Sequence, residues 1–214
     1  MAEAPVIVTG FRPFLKVANN PSALLVQSLR DEPVQALNLG ATLLDTVYRD
    51  LPSRIGLLLD RRPSTLILTG FSAIASGLKI ETRATSRCSP AFADADGFMP
   101  PPTRDPVLAS ANRTVTFPDL IDALRAAGVP ATLSDDAGAY VCNAAYYHAL
   151  DQIAKRALPT RALFVHLPAI TGMSDPPEGS GVSMSLATMR RGIGIIAETL
   201  TSREGAQQAC SAQP

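Results

Sequence analysis

Short, almost wholly apolar runs closed by glycine or proline alternate along this chain with stretches whose apolar residues recur every three to four positions. PVIVTGF (Pro5 to Phe11), STLILTGF (Ser64 to Phe71) and TRALFVHLP (Thr160 to Pro168) are of the first kind. Each is rich in branched or aromatic residues and too short for a helix, so each predicts a buried strand. ALNLGATLLDTVY supplies a further extended segment, LKIETRATSR alternates as a strand, and VPATLSDDAG reads as a strand running into a loop. NNPSALLVQSLRD predicts a helix in which Asn20 can cap and Pro21 suits the first turn. Further helices are predicted in LPSRIGLLLDRR, in FPDLIDALRAAG with Gly128 beyond its end, and in VCNAAYYHALDQIAKRAL. SMSLATMRRGIGIIAETLTSR predicts a last helix, and EGAQQACSAQP reads as a frayed tail.

Strands alternating with helices imply an α/β protein whose sheet is mostly parallel and covered on both faces. The pattern predicts one domain over 1–205 and a flexible tail over 206–214. In open sheets of this kind functional groups collect beyond the carboxyl ends of the strands, which is where Phe11, Phe71 and His166 emerge. The long irregular stretch is CSPAFADADGFMPPPTRDP, and such loops inside a domain often serve function.

Composition narrows the classes. At 214 residues and 46% hydrophobic the chain can bury a proper core. Nineteen basic residues balance 19 acidic ones, which leaves no electrostatic footprint for nucleic acid or an anionic membrane. Cys88, Cys142 and Cys210 are widely spaced, and with two histidines in the chain neither a structural zinc site nor a disulfide scaffold is expected. MAEAPVIVTGF lacks the basic start of a signal peptide, and no apolar run is long enough to span a bilayer. A reduced, cytoplasmic protein is expected.

Cys142 falls in the first turn of its helix, where unpaired amides and the positive dipole end favour a thiolate and can steady a negative oxygen. His166 closes a strand, and Glu81 follows the strand STLILTG closely enough to orient an imidazole. Cysteine, histidine and acid are the parts of a nucleophile, a base and its orienter. The ordinary alternatives are a buried cysteine, a core histidine and a solvated glutamate. His148 lies a turn and a half along the helix from Cys142 and is expected to point elsewhere, while Cys88 and Cys210 have no evident base. The residues by themselves reach as far as an α/β protein carrying the parts of a cysteine hydrolase.

VIVTGFRPF, NNPS, IETRA, AGAYVCNAAYY, FVHLP and SMSLATMRRGI resemble, in order and spacing, the motifs of the type I pyroglutamyl peptidases. These are cytoplasmic cysteine peptidases that remove an N-terminal pyroglutamate. The resemblance implies a three-layer α/β/α sandwich around an open twisted sheet, with no metal or organic cofactor and often a homotetramer. It implies Cys142 as nucleophile, His166 as general base and Glu81 as the acid of the triad. It further implies a small-peptide substrate whose flat, uncharged lactam ring is held by Phe11 and Phe14, with Phe71 and Val141 also at the substrate.

Departures from the family pattern cluster around that pocket. Leu15-Lys16-Val17 follows GFRPF in place of a glycine pair, and GFSAIA stands where the family has Gly-Gln-Ala-Gly-Gly-Arg, so Phe71 replaces a glutamine. A family arginine near the oxyanion falls here on Ala91, with Arg83 and Arg87 as stand-ins. Asp45 occupies a usually apolar segment, where it can accept from an amide or attract a cation. With the triad kept and its surroundings changed, two other readings stay open. One is a cysteine hydrolase of the same fold for another small amide or N-terminal group; the other is a non-catalytic, ligand-binding relative.

Overall fold

In the computed structural model, residues 6–13, 17–34, 38–101, 109–173, 176 and 179–211 are described, with the backbone alone for 109 and 202–211. The chain runs β1 (Val6–Phe11), α1 (Pro21–Asp31), β2 (Leu39–Leu44), a 3-10 turn (Tyr48–Asp50), α2 (Leu51–Asp60), β3 (Thr65–Phe71) and β4 (Leu78–Glu81). It continues with β5 (Arg83–Thr85), β6 (Ala109–Ala111), α3 (Phe117–Ala126), β7 (Ala131–Ser134) and α4 (Val141–Lys155). It ends with β8 (Arg161–Leu167), β9 (Ala169–Ile170), β10 (Ser183–Met184) and α5 (Leu186–Ser211).

Six strands form one sheet in the order β2-β1-β3-β8-β4-β7. Every neighbouring pair is parallel except β4 with β8. β1, β3 and β8 are buried nearly end to end, as their unbroken apolar runs predict. α2 and α4 cover one face through Ile55, Leu59, Ala145 and Tyr146 against Ile7, Leu68 and Phe164. α1, α3 and α5 cover the other through Leu25, Leu124 and Ile193 against Val8, Ile67 and Val165. The result is the expected three-layer α/β/α sandwich around a mostly parallel sheet.

Local chemistry sets the element ends. The Asn20 side chain accepts from Ser22 N at 3.0 Å and Pro21 begins α1, so the helix starts where its cap can form. Gly128, at φ +68°, turns the chain out of α3 toward β7. Two segments differ from the pattern reading. LKIETRATSR is not one strand: Thr82 donates through both its amide (2.7 Å) and its hydroxyl (3.0 Å) to Ser134 O, and the chain bends there. β5 then pairs with β6 in a separate two-stranded ribbon. The last helix also runs on to Ser211, past the point where the tail was expected to begin.

Candidate active site

Strand alternation gathers the candidate groups on the face that α4 covers. Across the antiparallel β4–β8 ladder, Lys79 pairs with His166 and Glu81 with Phe164. Across the parallel β3–β8 ladder, Gly70 pairs with His166. Paired residues present their side chains to the same face, as do residues two apart on a strand. His166 Nδ1 stands 2.8 Å from Glu81 Oε1, both residues being buried. The Phe164 ring packs on the imidazole with centroids 4.8 Å apart. Held this way, the ring turns Nε2 away from the carboxylate.

Cys142 is the second residue of α4, and the cap residue Tyr140 makes no side-chain hydrogen bond to the helix start. The cap side chain therefore leaves the first-turn amides unoccupied. The sulfur is turned down onto the sheet: a Cβ added to Gly70 would stand 2.8 Å from Cys142 Sγ and 3.0 Å from Phe164 Cζ. Gly70 is the strand partner of His166, so thiol and imidazole occupy neighbouring places on one face.

The charge state of the thiol differs from the expectation. Burial pushes the Cys142 thiol up to about 12, the Glu81 charge pushes the same way, and the residue's own amide, which pulls down, is outweighed. The residue as a whole keeps some exposed surface, but the sulfur faces Gly70 and not solvent, so desolvation falls on the ionising atom. The helix start alone does not make a thiolate here; the proton has to be taken by a base.

Aromatic rings cluster beside the start of α4. Tyr140 packs edge-on against Tyr48 (5.8 Å) and Phe92 (6.4 Å), and Tyr48 against Phe98 (6.5 Å). The loop carrying Phe92 and Phe98 is fastened by Ser89 N to Ala139 O (2.8 Å), Tyr140 Oη to Ala93 O (2.7 Å) and Ala95 N to Thr46 O (2.8 Å). Buried Asp94 accepts from Tyr48 N, Asp96 N and Phe98 N at 2.9–3.0 Å. Burial raises the Tyr48 phenol first, and negative charge on Cys88, Tyr140, Cys142 and Asp94 pushes the same way.

The remaining expected residues divide. Phe11 is buried on the α4 side of the sheet, and Val141 is buried in the same cluster, so both back the site from within the core. Phe14 lies outside the described residues. Phe71 does not join them. It pairs with Leu167 on the parity of Ile67 and Val165, so alternation sends its side chain to the face opposite Gly70 and His166. Arg83 is engaged away from the thiol, donating to Asp135 O at 2.6 Å, and the Arg87 backbone is held by Asn143 Nδ2 at 2.9 Å. Asp45 has its cations within the chain, Arg12 at 3.0 Å and Arg54 at 3.9 Å. His148 packs beside Tyr147 further along α4, and the side chain of Cys210 is outside the described set. Among the described residues no group of His, Cys, Asp and Glu could hold a metal, and no helix is long and apolar enough to cross a membrane.

The family model described as pyroglutamyl peptidase matches residues 4–203. The chain belongs to the pyroglutamyl peptidase family. It is 33% identical over 210 residues to the pyrrolidone-carboxylate peptidase of Thermococcus kodakarensis, covering 94% of this chain and 98% of that one. It is 31% identical to pyrrolidone-carboxylate peptidase 1 of Ralstonia nicotianae, covering 93% and 94%. Among solved structures, pyroglutamyl peptidase I of Bacillus amyloliquefaciens superposes with a TM-score of 0.81 at 24% identity, covering 92% of this chain and 96% of that one. The pyrrolidone carboxyl peptidase of Fervidobacterium islandicum AW-1 gives the same TM-score, 0.81, over 92% and 98%. These two establish the fold.

Three features of this pyroglutamyl peptidase family member escaped the pattern reading. Gly70 makes room for the sulfur, which no motif announces. Tyr146 Oη donates to Glu81 O at 3.0 Å and accepts from Asn112 Nδ2 at 2.8 Å, tying the acid's backbone to β6 and α4. Lys79 Nζ lies 3.4 Å from Glu81 Oε1. Its signal was legible: two positions before Glu81 on an alternating strand, it must share that residue's face.

Proposed function

We propose that the protein removes N-terminal pyroglutamyl groups from small peptides through a covalent thioester on Cys142, with His166 as base and acid and Glu81 as orienter. The reading is carried by the buried 2.8 Å Glu81–His166 contact beside a thiol seated over Gly70. With the thiol pushed up to about 12, Cys142 is neutral at rest, so its proton passes to His166 as sulfur attacks the pyroglutamyl carbonyl carbon. Glu81 stabilises the imidazolium that forms. The carbonyl oxygen takes up the negative charge, for which the uncapped first-turn amides of α4 are the available donors. Collapse of the tetrahedral intermediate breaks the carbon–nitrogen bond, and His166 returns the proton to the leaving amine. Water, deprotonated by His166, then cleaves the thioester and releases pyroglutamate and the free thiol.

A lactam ring carries no charge, and the Tyr48–Tyr140 pair offers aromatic surface on the side of the sheet that buried Phe11 backs from within the core. Cytoplasmic residence and assembly into a homotetramer belong to the same proposal by family likeness. The test is release of aminomethylcoumarin from its pyroglutamyl amide. Turnover is expected in the native chain, abolished by iodoacetamide and by Cys142→Ala. Turnover retained by Cys142→Ala, or none by the native chain beside turnover of another N-terminal amide, would overturn the reading.

A further inference from the structure

Glu81 is fully buried, yet its carboxylate is thinly supported: Oε2 has no hydrogen-bond partner among the described residues. Oε1 receives both His166 Nδ1, at 2.8 Å, and the Lys79 ammonium, at 3.4 Å. A buried carboxylate with one satisfied oxygen is costly to keep charged unless a cation stands by. Lys79 is that cation, with its side chain 23% exposed. Its position is over-determined. Across β4–β8 it is the strand partner of His166, which sets its stem beside the imidazole. Its Nζ also donates to Asp136 O at 3.1 Å, in the loop that leads into α4 and Cys142.

We propose that Lys79 is a positioning residue that keeps Glu81 ionised and opposes protonation of the Glu81–His166 pair, extending activity toward acid pH. The proposal rests on the catalytic reading above. The sign follows from the total charge. Whichever of the two residues holds it, a proton added to the pair brings positive charge next to a lysine, so the lysine disfavours uptake. Because the resting thiol is neutral, attack requires an imidazole able to accept its proton; a pair that stays unprotonated to lower pH stays active to lower pH.

Among the described residues, the other titratable groups facing the pair are Cys142 and the Tyr146 hydroxyl from α4. At the rim, Arg83 and Asp135 offset each other at 3.6 Å. The Asp136 carboxylate is occupied by Gly138 N at 2.9 Å. None of these supplies a replacement cation at Oε1.

With two histidines in the chain, ring-labelled histidine gives two imidazole signals by NMR, assigned with His148→Gln. In Lys79→Met and in Lys79→Gln, the His166 titration midpoint should rise by about one pH unit, as expected for loss of a partly hydrated charge a few ångströms away. Lys79→Arg should stay near the native midpoint. The acid limb of kcat/KM for the pyroglutamyl coumarin amide should move in parallel, an about tenfold loss on that limb. A midpoint that is unchanged or lower in both uncharged variants overturns the proposal. The NMR titration needs no turnover, so a chain that shows the shift but does not cleave the amide upholds the role of Lys79 and overturns the substrate reading instead.

Discussion

Replacing Gly70 by alanine puts a methyl group 2.8 Å from Cys142 Sγ, 3.0 Å from Phe164 Cζ and 3.4 Å from Phe164 Cε1. Ordinary contacts between such atoms are about 3.5–4.0 Å, so the sulfur must give way by about 1 Å. Neither neighbour yields easily. Phe164 is fully buried between Tyr146, at 5.9 Å, and His166, at 4.8 Å, and Cys142 is fixed in the first turn of α4. Gly70 is not among the positive-φ glycines, so alanine meets no backbone strain there and even restricts the unfolded chain by about 0.4–1 kcal/mol. Overpacking of this kind costs about 1–3 kcal/mol, leaving a net loss of up to about 2.6 kcal/mol and a fall in Tm of up to about 10 °C. On the proposed chemistry the larger effect is catalytic, because a 1 Å displacement of a reacting atom costs about 100-fold. The assay pairs kcat/KM on the pyroglutamyl coumarin amide with a thermal melt. Gly194→Ala is the control: nothing lies within 4 Å of its added Cβ, and a helix-interior alanine should stabilise by up to about 1 kcal/mol. Native kcat/KM and Tm in Gly70→Ala would refute the seating of the sulfur on this glycine.

Two further outcomes follow from the same neighbourhood. Tyr146→Phe removes the hydroxyl that donates to Glu81 O and accepts one of the two Asn112 Nδ2 hydrogens, the other staying on Ala162 O at 2.7 Å, so urea unfolding should show a loss of about 1 kcal/mol; unchanged stability would mean the hydroxyl is dispensable. The unfolded chain releases a cysteine proton near 9.0 whereas folded Cys142 keeps its own to about 12. The folded state thus holds the extra proton, and stability is full below 9 and lost as pH rises toward 12, at no more than about 1.4 kcal/mol per pH unit. Cys142→Ala should flatten that alkaline decline in denaturant midpoints measured from pH 8 to 11, and an identical decline in both proteins would contradict the buried thiol.

The buried strands were legible because each is an uninterrupted apolar run, and α1 because Asn20 and Pro21 announce its start. The antiparallel seating of β4 against β8 was not, since period-two alternation is the same read in either direction. Nor was the break at Thr82, which depends on a carbonyl 52 residues away in sequence. Phe71 was placed at the pocket by its motif, but a motif does not report which side of the sheet a terminal strand residue leaves by. The thiol is the most instructive case. Its place on the helix was readable, and its ionisation depended on how far the sulfur turns from water and on a carboxylate 61 positions earlier, neither of which local sequence encodes.

The loop that carries Phe92 and Phe98 is tied down largely through main-chain atoms, with Asp94, Tyr48 and Tyr140 doing the fastening. Phe92, Phe98 and Met99 meanwhile reach into solvent. Anchoring and display are thereby assigned to different side chains. New residues can be tried at the display positions without redrawing the path of the loop, so the outer face of this segment can diversify while its anchors stay put.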